Sequence, residues 1–304
     1  MNEYPERAID LSICIVTYKA RAQLRECLDS VRAQCAGMVY EVIVVDNHSD
    51  DGTLEMLRAN YREVQLISLP ENQGYTHPMN LALRQGQGAY LLQLNPDTVI
   101  LPGSLQHLVQ YMESHAQCGI CTPKVLNRDG SMQWQCRRSE ARPWDVIAYF
   151  ARLSQLYPRD PRFSGYLMTY RDPDSLYEVE AVSGACMFIR RAVVAQVGYL
   201  DERYYAYQED TDFCLRARRA GWKVTYLPTA HIIHYGAEGG TRIHPYHSAF
   251  EWHRSYYRYY SRWFAQDYFF FFNWLFYGLM GVKLVFAMLK ILLSREKYPG
   301  TRKP

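Results

Sequence analysis

Four short runs constrain this chain most: LSICIVTY (11–18), EVIVVDN (41–47), VQLISLP (64–70) and AYLLQLN (89–95). They are largely apolar and β-branched, without the alternation of a strand that has one wet face. Such strands are covered on both faces. Between them the pattern changes to helical spacing. Leu24, Cys27, Leu28 and Val31 share one face of a helix over 21–34. SDDGTLEMLRANY (49–61) opens a second helix, with Ser49, the aspartates and Thr53 as cap candidates. THPMNLALRQG (76–86) reads as a third. Strands and helices in this order predict a doubly wound parallel α/β sheet with right-handed crossovers.

Ligands of such sheets bind beyond the carboxyl ends of the strands. Thr17 and Tyr18, Asp46 and Asn47, and Asn95 and Asp97 stand at three of those ends. In LLQLNPDT, Pro96 stiffens the connection and holds Asn95 extended, so Asp97 is presented at the end of a core strand. No GxGxxG follows the first strand, and no GxxxxGK[ST] occurs anywhere. A nucleotide diphosphate without such a phosphate cradle calls for a divalent cation on hard oxygen ligands, and Asp97 is the natural ligand.

Downstream, a helix over 102–115, strands at CGICTPKVL (118–126) and KVTYLP (223–228), and VEAVSGACMFIRRAVVAQVG (179–198), a strand followed by a helix, continue the pattern. Residues 129–178, rich in Trp, Tyr and Pro, read as a partly helical excursion over the active face. Gln208-Glu209-Asp210-Thr211-Asp212 precedes FCLRARRAGW. Acids in a first turn suit the helix dipole, but three exceed what a cap requires. A carboxylate fixed there can take a proton from a hydroxyl, the role assigned to Asp210. In HIIH, period two places His231 and His234 on opposite faces, and His234 is nearer the diphosphate region.

The 304 residues carry a formal charge of +3, too small for nucleic acid as the main partner. The eight scattered cysteines include one CxxC, Cys118 and Cys121, without a second pair, and read as reduced core thiols. MNEYPERAID is polar and reads as no signal segment, so a cytoplasmic catalytic part, peripheral to the inner face of the membrane, is the expectation. After Arg262 the chain is apolar to Leu293, broken by Lys283 and Lys290, and ends in the basic SREKYPGTRKP. This suits a helix lying at the inner membrane surface better than a span; a buried helix or an oligomer interface is the alternative. The expected division is a catalytic domain over 1–262 and a membrane-associating helix with basic tail over 263–304.

The ordered set CIVTYK, VIVVDNHSDDGT, ENQGYTHPMNLAL, LLQLNPDT, AVSGACMFIRR, YQEDTDFCLRARRAGW, LPTAHIIHYG and HRSYYRYYSRWF resembles family 2 glycosyltransferases of the GT-A fold. The nearest resemblance is to bacterial rhamnosyltransferases of polysaccharide biosynthesis, over roughly residues 10–262. It implies a mixed central sheet. It also implies an inverting transfer from a nucleoside-diphosphate sugar, dTDP- or UDP-linked, to a glycan or lipid-linked saccharide. Carried over, Thr17 and Asp46 contact the nucleoside, and Asn80 the donor. Asn95 and Asp97 fill the place of D-x-D. Gly184 lies beneath the sugar or acceptor. Asp210 is the base, with Glu209 beside it, and Asp97 and His234 hold a divalent cation, Mg or Mn. Asn95 in the first D-x-D position leaves one negative charge fewer. The competing readings are a nucleotidyltransferase, which lacks support because no glycine-rich basic loop follows the first strand, and a degenerate sugar-nucleotide-binding subunit.

Overall fold

In the computed structural model, which describes residues 9–236 and 243–293, the apolar runs become strands of one sheet. Three lie inside it; the third run in chain order, VQLISLP, is at its edge, with Gln65 and Ser68 exposed rather than covered. Strands β1 (Leu11–Thr17), β2 (Tyr40–Asp46), β3 (Gln65–Ser68) and β4 (Tyr90–Leu94) are parallel and alternate with helices α1 (Arg21–Gln34), α2 (Thr53–Asn60) and α3 (Thr76–Gln85). Every residue of β1 and β4 is buried, as runs without alternation require. The face of α1 predicted from spacing is the buried one.

Beyond Pro96 come β5 (Thr98–Ile100), α4 (Ser104–Ser114) and β6 (Cys118–Leu126). The excursion holds the short β7 (Arg137–Arg138), α5 (Pro143–Phe150), α6 (Leu153–Leu156), α7 (Pro161–Ser164) and β8 (Tyr177–Glu178). Then follow β9 (Ala181–Val182), β10 (Cys186–Arg190), α8 (Arg191–Val197), α9 (Glu209–Arg219) and β11 (Lys223–His234). Two long helices, α10 (Pro245–Trp263) and α11 (Phe270–Leu293), complete the described chain. The sheet has nine strands in the order β3-β2-β1-β4-β10-β6-β11-β5, with β8 on β11, and a small β7–β9 ladder lies apart. Strands β10, β5 and β8 run antiparallel to their neighbours, so the sheet is mixed.

Two local readings change. α2 begins after Gly52, which is left-handed at φ 83°, and no side chain caps it; Asp51 instead accepts from the Thr53 N–H and hydroxyl. KVTYLP and HIIH are one strand of 12 residues, with a register shift between Leu227 and His231 that accommodates Pro228. All eight cysteines are free and buried, as reduced core thiols should be.

The topology explains where a site can form. The chain runs from β1 outward through β2 and β3, then returns to place β4 on the other side of β1. The crevice at the carboxyl ends of β1 and β4 is therefore a switch point, where no crossover covers the strand ends.

Candidate active site

A cavity of about 490 Å³ opens at that switch point. Its lining includes Val16, Tyr18 and Asn47 after β1 and β2, Asn95 to Asp97 after β4, and Ser183 to Ala185 before β10. Residues 205–210 and the first turns of α10 supply the opposite wall. Asp97 and Asp210, 113 positions apart in the chain, face this one space, together with Asn95, Gly184, Glu209 and His234.

His234 closes the strand-end side. Gln133 donates from Nε2 to the His234 carbonyl at 2.6 Å, so its Oε1 must be the atom 2.9 Å from His234 Nδ1. Nδ1 therefore carries a proton, and in the neutral ring Nε2 presents its lone pair to the cavity. Nε2 lies 3.2 Å from Asp97 Oδ1 and 3.3 Å from Asn95 Nδ2. The Asn95 carbonyl oxygen is taken by the Tyr75 hydroxyl at 3.2 Å, which turns the amide nitrogen toward the histidine.

This arrangement fits a divalent cation. Ligands at about 2.1 Å and a right angle lie about 3.0 Å apart, close to the Asp97–His234 separation. The described residues hold no cluster of three or more His, Cys, Asp or Glu able to bind a metal. A two-ligand protein site is what a cation shared with a substrate diphosphate and water requires.

Asp210 sits at the start of α9, 7% exposed. Its Oδ2 accepts from Arg138 Nη2 at 2.7 Å and from the Gly184 N–H at 3.0 Å. Its Oδ1 accepts from the N–H of Thr211 at 2.6 Å and its hydroxyl at 3.1 Å. The carboxylate is thus clamped by a buried guanidinium and by backbone. Glu209 differs. Its Oε2 is buried without a partner among the described residues, and burial together with the Asp210 charge pushes its carboxyl up to about 8. The two adjacent acids thus meet different environments: both Asp210 oxygens accept hydrogen bonds, while Glu209 is held toward its protonated form.

Gly184 lines the cavity, but its own protein explains the missing side chain. A Cβ there would stand 2.5 Å from Gln93 Nε2, which bonds the Tyr75 hydroxyl and the Gly184 carbonyl. Gly74, left-handed at φ 83°, lines the cavity too, and a Cβ there would stand 2.5 Å from the Tyr205 carbonyl oxygen.

Thr17 and Asp46 are paired in register at the ends of β1 and β2, fully buried; their chain neighbours Val16, Tyr18 and Asn47 line the cavity, and they themselves do not. Thr17 Oγ1 and Asp46 Oδ1 are both without a hydrogen-bond partner among the described residues, while Asp46 Oδ2 accepts from the Ser49 N–H. Orphaned buried polar atoms next to a cavity are groups that a polar ligand could satisfy. Asn80 is a correction. It is buried away from the cavity, and its amide holds the Leu200 backbone on both sides and Glu202. It ties α3 to the segment before α9.

The residues not foreseen are Tyr75, Gln93, Arg138 and Gln133, and on α10 His247, Glu251 and Trp252. An Arg pair, Arg137 and Arg138, inside an aromatic-rich stretch was the one available signal, because buried guanidiniums need partners. The Gly-rich loop after His234 lies mostly outside the described residues, as does the basic tail.

The model of the family described as "Glycosyl transferase family 2" matches residues 12–198. Among curated proteins, an N-acetylglucosaminyl-diphospho-decaprenol L-rhamnosyltransferase of Mycobacterium tuberculosis is 30% identical over 245 residues, covering 76% of this chain and 78% of the relative. Rhamnosyltransferase WbbL of Escherichia coli is 28% identical, covering 82% and 92%. Among solved structures, a mannosyltransferase from Pyrobaculum calidifontis, in complex with GDP-Man and Mn2+, superposes with a TM-score of 0.57 at 16% identity. That match covers 85% of this chain and 65% of the other, and it shows the GT-A fold.

Proposed function

This chain belongs to glycosyl transferase family 2, and on that premise we propose that its cleft transfers rhamnose from a nucleoside-diphosphate donor to a hydroxyl of a lipid-linked saccharide, with inversion. The observation that carries the reading is the meeting of Asp97 and Asp210 in one cavity. Asp97 and His234 hold a divalent cation, Mg or Mn. When bound, it supplies positive charge for a departing diphosphate. The orphaned Thr17 Oγ1 and Asp46 Oδ1 receive the nucleobase. A pyrimidine N–H suits Asp46 Oδ1, in keeping with dTDP or UDP.

Asp210, paired with Arg138, takes the acceptor's proton as that oxygen attacks the anomeric carbon and the nucleoside diphosphate departs. The clamp fixes its direction, so little reorganisation is needed during transfer. Glu209, holding its proton, is a donor toward an acceptor oxygen.

Helix α11 supports a membrane-surface role. It is 24 residues long with mean hydropathy 1.8 in its most apolar window, which is 6% buried. Lys283 does not interrupt its outer face. Its ammonium lies 3.9 Å from the Phe150 and Trp252 ring centroids and 3.0 Å from His253 Nε2, turned inward. Packing of α11 on the catalytic part thus includes Lys283, while apolar side chains such as Phe271, Trp274, Val282 and Phe286 stand exposed on its other side, which suits a helix lying at a membrane surface. We take 1–262 as catalytic and 263–304 as the membrane-associating segment.

Asp210→Asn is expected to lower turnover at least ~10³-fold while donor binding, read by calorimetry, stays within a factor of two. Retained turnover with lost donor binding would remove Asp210 as base. In the same assay a chelator weakens donor binding to the unmodified protein but not to Asp97→Ala. Equal binding with and without chelator would exclude the cation role.

A further inference from the structure

A second cleft, of about 640 Å³, lies beside the active-site cavity and shares Tyr205 with it. Its walls carry four arginines, Arg203, Arg254, Arg258 and Arg262, and it borders Tyr257, whose ring lies 4.8 Å from that of Tyr277 on α11. The cleft therefore stands between the place of chemistry and the apolar helix.

The arginines are not all spent on internal pairs. Arg203 and Arg262 pair with Asp201, and Arg262 also with Asp212. Arg254 pairs through Nη2 with Glu251, while its Nε is buried without a partner among the described residues. Arg258 donates from Nη1 to the Arg203 carbonyl and has no carboxylate partner among the described residues. A guanidinium carries five N–H donors, so exposed Arg258 keeps donors free for a ligand in the cleft, and half-buried Arg254 keeps a buried donor still to be satisfied.

Position adds to charge. Glu251 lines the active-site cavity, and Arg254 and Arg258 follow it on α10 by three and seven residues. At 1.5 Å per residue they stand about 5 and 10 Å further along the axis, one sugar ring or so from the cavity. We propose that this cleft is the anion subsite of the acceptor: Arg254 and Arg258 bind the diphosphate that joins the accepting saccharide to its lipid. The saccharide then enters past Tyr205, and the lipid leaves along α11. The proposal rests on the lipid-linked acceptor argued above, and it adds which residues read the charged neck of that acceptor.

The test compares two acceptors, a prenyl-diphosphate-linked N-acetylglucosamine and the uncharged octyl N-acetylglucosaminide, in neutral detergent. The structure predicts that Arg258→Gln lowers the ratio of kcat/KM for the first over the second about tenfold, the double variant Arg254→Gln/Arg258→Gln further, and that Arg258→Lys restores part of it. An unchanged ratio, with both acceptors affected alike, overturns the proposal. In neutral phosphatidylcholine vesicles the preference must persist; a preference seen only with anionic phosphatidylglycerol assigns these arginines to bilayer headgroups and also overturns it. Should the unmodified protein glycosylate neither acceptor, the functional reading fails by itself. The cleft is then judged by farnesyl diphosphate binding: about tenfold weakening in Arg258→Gln supports the anion subsite, and equal binding refutes it.

Discussion

Glu209 makes the stability of this protein depend on pH in an unusual direction. The carboxyl is buried, its Oε2 lacks a partner among the described residues, and Asp210 adds a like charge, so its pKa rises from 4.5 to about 8. Between those values the folded chain holds a proton that the unfolded chain has released. Folding then binds protons, and stability falls as pH rises across that window. The window spans about 3.5 pH units, and at about 1.4 kcal/mol per unit the ceiling is about 5 kcal/mol. Because the side chain borders an open cavity, rotation toward solvent returns part of this, leaving about 2–4 kcal/mol. Glu209→Gln removes the titration while keeping the shape. Urea unfolding of both proteins at pH 5.5, 7 and 9, without nucleotide, measures the effect. The variant should match the unmodified protein within about 1 kcal/mol at pH 5.5 and exceed it by about 2–4 kcal/mol at pH 9. Titrating groups remote from Glu209 cancel in the comparison, and the adjacent Asp210 contributes to the difference through its like charge. Parallel stability curves over the whole range would show that Glu209 is an ordinary carboxylate, and the division of roles between Glu209 and Asp210 would fail with it.

Two further perturbations probe the cleft wall and the apolar helix. Gly184→Ala should lose most turnover, because a Cβ 2.5 Å from Gln93 Nε2 forces the Gly184 backbone toward the cavity, whereas adding Gln93→Ala makes room behind it and should return part of the activity; a double variant as inactive as the single would mean the methyl obstructs substrate instead. Truncation after Phe264 should abolish co-flotation with vesicles, and flotation retained by the shortened protein would deny α11 its docking role.

The half of the molecule built from β1 to β4 was legible because its signals are local. Unbroken apolar runs specify strands, and the strand-end rule then places Asp97 and its neighbours at the cavity without any long-range knowledge. Asp210 and His234 were also legible, one as an excess of acids at a helix start, the other by register in a strand. Asn80 misled for an instructive reason: a polar residue on a predicted helix face carries the same letter whether it meets a ligand or a backbone, and here the Leu200 backbone claims it.

The opposite wall was illegible because its residues act through partners remote in sequence. Arg138 matters only against an aspartate 72 positions away, and Gln133 only against a histidine 101 positions away. The stretch RSYYRYYSRW is apolar and basic at once, and periodicity alone leaves two faces equally fit for burial. Tyr256 and Tyr260 are buried through Phe276 of α11, which turns Arg254 and Arg258 outward to the second cleft. The orientation of those arginines is therefore set by the apolar helix behind them, and a change on α11 that loosens the Phe276 contact would disturb acceptor reading before it disturbed donor binding.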